Sequence, residues 1–156
     1  MNCSFFRILF KGEKMKNNKD ILASILKTTQ MGQVGIRAVM PYAVRQDLKD
    51  ALRSQKQEYD TIEQEAHRIA SSRGWELNEL DPAAKLMSKA CAHGNLMFGR
   101  ADSKIAAMMI NGNTRGMIKG LKNLHHCPQT DPSITALSQK LLDCESANIR
   151  QMQGYV

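Results

Sequence analysis

Aromatic residues are scarce in this 156-residue chain, at 5% of positions, with one tryptophan and only four prolines. No stretch alternates apolar and polar side chains for long enough to build a sheet, while Ala, Met, Leu, Lys and Gln are plentiful. These absences exclude a β architecture and leave an all-α one. Cysteine is also sparse. Cys3, Cys91, Cys127 and Cys144 have neither the density of a secreted disulfide framework nor a CxxC pair for zinc, so they read as reduced thiols in a cytoplasm. No apolar run reaches the ~20 residues of a membrane-spanning helix, and no membrane partner is expected.

What the chain does have is positive charge, a formal +7 from 22 Lys and Arg against 15 acids. Along the sequence these cations are scattered among acids, with no run of five or six and no interleaved aromatics for base stacking. Solubility explains them, and a nucleic-acid partner is not expected. The length suits one domain with a real core and leaves no room for a second.

Residues 1–14, "MNCSFFRILFKGEK", carry an apolar patch broken by Arg7, without the features of a signal peptide. The "KGEKM" at 11–15 is what a purine-rich ribosome-binding sequence before a start codon would encode. Met15 is therefore the expected natural start, 1–14 a non-native or disordered extension, and 15–156 the helical domain.

Apolar residues at helical spacing predict a first helix from Asp20 to about Met40, closed by Pro41. The pattern Leu48, Leu52, Tyr59, Ile62, Ala66 and Ile69 predicts a second, from Asp47 to "SSRGW". A third is expected to start at Pro82, capped by Asp81, and to run through Met97, Ile105 and Met108 to Leu124. Near 111–114 it kinks, breaks or packs very closely. The last begins at Pro132 or Ser133 and reaches almost to Val156. The expected fold is an antiparallel up-down four-helix bundle with a long third helix. Gly112, Gly116 and Gly120 form a GxxxGxxxG series, which suggests a groove where another helix approaches closely.

On the last helix Glu145 falls within the stripe of Ile134, Leu141, Ile149 and Met152, with Asn148 on its margin. On the second helix Gln55 lies within the apolar stripe and Glu58 at its edge. Two helices thus turn a polar i, i+3 pair inward. Di-iron bundles use that spacing, with a Glu-x-x-His motif on each of two helices and a Glu on each of the others.

With "QKQEYDTIEQEA" at 55–66, "KIAAMMINGNTRGMIKGLKNL" at 104–124 and "KLLDCESANIRQM" at 140–152, the chain resembles the ferritin-like superfamily over roughly 19–155. More closely it resembles small uncharacterised ferritin-like proteins of low-GC Gram-positive bacteria. The resemblance implies the fold and no activity. Both histidines of the di-iron pattern are missing, since Gln55 and Glu58 stand on one helix and Glu145 and Asn148 on the other. The expectation is a degenerate site, in which Gln33, Gln55, Glu145 and Asn148 form a buried hydrogen-bond network. If iron or manganese binds at all, Glu58 and Glu145 are the ligands, and otherwise no cofactor is expected. The function expected is non-enzymatic, in self-association as a homodimer or other homo-oligomer, or in binding a protein partner. The alternatives are a metal-binding or redox protein using the residual carboxylates, and a weak nucleic-acid-associated basic protein. Cys91 and His93, two residues apart on a helix, point about 200° from one another and make a poor pair of zinc ligands with His125, His126 and Cys127.

Overall fold

The computed structural model describes residues 16–81, 93, 101–127 and 131–156, and among these every regular element is helical. Helix α1 (Asn18–Val39) starts on a capping box, in which the Asn17 side chain accepts from the Asp20 amide and Asp20 from the Asn17 amide. A short 3-10 turn, Met40–Tyr42, follows at Pro41. Helix α2 (Gln46–Ser72) is 27 residues long and ends at Gly74, whose φ of 64° lies in the left-handed region. Helix α3 is described from Ala101 to His125, and α4 spans Pro132–Gln153 behind an Asp131 cap. The expected start of the third helix at Pro82 and its course through Met97 lie outside the described residues, as does the 1–14 extension.

Both ends of the bundle can be read from side-chain contacts. At one, Asp102 at the start of α3 accepts from the Val44 and Arg45 amides just before α2, and Arg45 lies over the Tyr155 ring beyond α4. At the other, Asp131 pairs with Arg73 after α2 at 2.8 Å, and its backbone amide donates to Asn18 at the start of α1. Neighbouring helices therefore run antiparallel: α1 beside α2 and α3, α4 beside the same two. Helices α2 and α3 occupy a diagonal and point the same way, so the end of α2 and the start of α3 lie at opposite ends of the bundle.

The core is one continuous cluster, including Ile21, Leu22 and Ile25 of α1, Leu48, Leu52 and Ile62 of α2, Ile105 of α3, and Ile134 and Met152 of α4. Helix α3 is unbroken through 111–114. Of the three glycines in its series, Gly116 and Gly120 face α4. A Cβ on Gly116 would lie 2.6 Å from Glu145 Oε1, and one on Gly120 would lie 2.9 Å from Leu142 Cδ2. Gly112 has open space beside it, so it takes no part in that contact. Among the described glycines, the least room for a side chain is at one the series does not include. A Cβ on Gly32 of α1 would sit 2.5 Å from the Tyr59 ring.

These environments separate the glycines by sign. Gly112→Ala is expected to stabilise the protein by roughly 0.5–1 kcal/mol through helix propensity. Gly32→Ala should destabilise it by about 1–3 kcal/mol, because Tyr59 has no room to retreat. Chemical denaturation of the two variants measures both, and equal shifts would show that the Tyr59 contact is not tight.

Candidate functional site: a neutral polar layer in the bundle core

Tyr59 is fully buried, and its hydroxyl donates to Asn113 Oδ1 at 2.8 Å, across the diagonal from α2 to α3. Helical periodicity puts Asn113 there, four residues beyond buried Met109 and three before Gly116 on the inward stripe of α3. Glu145 enters the same layer from α4, 2% exposed, in the space left by the missing side chain of Gly116. Asn148, one turn further along, donates to the Cys144 thiol at 3.5 Å, and that thiol donates to Glu58 at 3.2 Å.

The titratable groups in this layer are held neutral. Burial pushes the Glu145 carboxyl from its usual 4.5 up to about 8, with the Tyr59 hydroxyl drawing it back part of the way. Burial, and then the Glu145 charge, raises the Tyr59 hydroxyl well above its ordinary value. Burial followed by the Glu58 carboxylate does the same to the Cys144 thiol, which is therefore a poor nucleophile. Glu145 Oε2 has no hydrogen-bond partner among the described residues. An ionised carboxylate in that position would be very costly, whereas a protonated acid is tolerable.

Of the residues singled out in the sequence, the structure brings Glu145 and Asn148 together. Gln55 is buried one turn from Tyr59 and donates to Gln151 at 2.8 Å, near the same layer. Glu58 stays exposed at the rim, reaching the interior only through Cys144. Gln33 lies elsewhere. It is buried, but it donates to Glu63 at 2.5 Å, beside Gln30, which donates to the other Glu63 oxygen at 2.9 Å. Those three residues tie α1 to α2 on the side of the bundle, and His67 approaches Glu63 to 3.8 Å. The sequence pattern does not single out Asn113, which lies where a kink, a break or a very close packing is expected, nor Tyr59, which counts as apolar.

A di-iron centre needs several carboxylate and imidazole ligands converging on one point. Here one inward carboxyl, Glu145, is surrounded by a phenol and amides, and Glu58 points to the rim. No group of three His, Cys, Asp or Glu side chains is placed to hold a metal ion among the described residues. The donor set of the described residues does not fit such a centre. Of the zinc candidates, His93 contacts the Tyr42 hydroxyl at 2.5 Å, and Cys91 lies outside the described residues.

The fold and this layer define a class: an all-α four-helix bundle with an uncharged polar layer at mid-core. No protein-family model and no curated protein sequence matches the chain. A solved structure with a similar fold is YcfI from Rhodopseudomonas palustris, described as "a putative structural protein". It is 14% identical over 92% of this chain and 98% of that one, with a TM-score of 0.56.

The layer makes stability depend on pH. Between about 4.5 and 8 folded Glu145 keeps a proton that the unfolded chain has lost. Its contribution is thus fully present below pH 4.5 and is lost as pH rises towards 8, at roughly 1 kcal/mol per unit. Glu145→Gln should flatten this slope, leaving a variant more stable than the parent at pH 8 by about 2–4 kcal/mol. Parallel denaturation at pH 5 and pH 8 measures this, and a parent that gains stability from pH 5 to 8 would contradict it.

Proposed function

We propose that the protein is a non-enzymatic, ferritin-like helical bundle that acts by association, with copies of itself or with a protein partner. The observation that carries this reading is the neutral layer. At the depth where a ferritin-like bundle would place metal ligands, a protonated acid, a phenol and amides hold the helices together, and none of these groups is poised for chemistry. The helix order supports the ferritin-like assignment, with two antiparallel pairs whose middle helices run the same way, as a bundle with one long crossover requires.

The description of YcfI, whose fold is similar, as "a putative structural protein" is compatible with a non-enzymatic helical protein. We assign no metal or other cofactor, since Glu58 and Glu145 do not converge. Exposed Ile118 and Leu121 on α3 provide apolar surface that a partner would cover. The Cys144 thiol, buried and outside any disulfide, suits a cytoplasmic location. No helix among the described residues is long and apolar enough to cross a membrane.

Sedimentation velocity on the full chain from about 1 to about 100 μM tests the reading, a range that covers associations of micromolar strength. The expected result is a weight-average coefficient that rises with concentration. A coefficient that stays at the monomer value throughout would remove self-association and leave only a heterologous partner.

A further inference from the structure

The bundle has four sides, and the one formed by α1 and α3 lies opposite the one formed by α2 and α4. The charge divides between them. Helices α1 and α3 hold seven Lys or Arg and two acids, a formal +5, whereas α2 and α4 hold six and, with Glu145 protonated, seven ionised acids, a net −1. On α2 the cations are spent locally, in the pairs Arg53–Asp50, Lys56–Asp60 and Arg68–Glu65. Beyond Asp102, α3 contains no acid at all.

Lys27, Arg115, Lys119 and Lys122 have no ion-pair partner among the described residues. Partial burial, and then the like charges of Lys16 and Lys27, push the Lys119 ammonium below its ordinary range, so Lys119 of α3 faces Lys16 and Lys27 across the α1–α3 seam. Ile118, 51% exposed, lies one turn from Arg115 and Lys122 on the outer surface of α3. The opposite side carries a groove of about 330 Å³ between α2 and α4, with Glu58 and Asp143 on its walls, Lys140 among them, and the apolar side chains of Ile62 and Ala147.

We propose that the α1–α3 face of one copy docks on the α2–α4 face of a second copy, setting Lys119 and its neighbours against Glu58 and Asp143. Pairing the basic face with itself would place like charges together, which disfavours a symmetric dimer through that side. The contact is instead heterologous. Because its two halves lie on opposite sides of the bundle, each added copy presents both faces again, and the assembly grows as a row or closes as a ring. This inference rests on the association reading and specifies its surface.

The test uses full-length chains carrying Lys119→Glu with Lys122→Glu, or Glu58→Lys with Asp143→Lys. Association of the parent should weaken as salt rises from about 50 to about 500 mM. Each double variant alone should associate at least about tenfold more weakly than the parent, because the docking residues on its two faces then carry one sign. Mixing the two variants should restore association, since each supplies the face the other has lost; recovery also shows that both fold. Variants that associate as the parent does would overturn the docking faces and leave the association reading standing. The docking faces are equally overturned if a mixture fails to recover while each variant keeps the parent's helical circular dichroism. A parent that remains monomeric at low salt and high concentration would overturn this inference and self-association together.

Discussion

The hydrogen bond from Tyr59 to Asn113 is the constraint on which the rest of the bundle depends. Four packed helices normally touch along their sides, and the diagonal is left to whatever side chain can reach across it. Here a phenol does so. It reaches the far helix only because Gly32 on α1 offers no side chain in its path. Once the ring lies there, the polar groups around it have to be satisfied or kept uncharged. Asn113 accepts the hydroxyl, and Glu145, in the space beside Gly116, is held as a neutral acid.

A neutral layer of this kind differs in its electrostatics from a metal-binding interior. A carboxylate cluster around a divalent ion is stable because the ion's charge offsets the buried anions. Without converging ligands, a lone inward glutamate lowers its cost by taking up a proton. The same burial that raises Glu145 also suppresses the Cys144 thiol and the Tyr59 hydroxyl, so groups that would be reactive in a cleft are inert in the core.

Much of this was legible in the sequence, because helical periodicity is a local property. The spacing of Glu145 within the stripe of α4, and of Gln55 within that of α2, predicts their burial, and both are buried. What periodicity does not specify is which helix lies opposite. Gln33 faces inward as expected, yet towards α2, where Glu63 receives it. Asn113 was hidden by its neighbours, since "NGN" in isolation leaves a break as open as a close packing, and only the contact with Tyr59 shows it as a core residue. The role of Gly32 is purely tertiary and leaves no sequence signal. The cations likewise look scattered along the chain, and their segregation emerges only when α1 and α3 are known to adjoin.

The central claim, that the core is organised around a protonated Glu145, is tested most directly by carbon-13 NMR of the glutamate side-chain carboxyls in the folded protein across a pH titration. The account predicts that one carboxyl, assigned to Glu145 by its loss in Glu145→Gln, stays protonated through neutrality and titrates near pH 8. A Glu145 signal that titrates near 4.5, with the exposed glutamates, would mean that the layer carries a charge and that this account of the core is wrong.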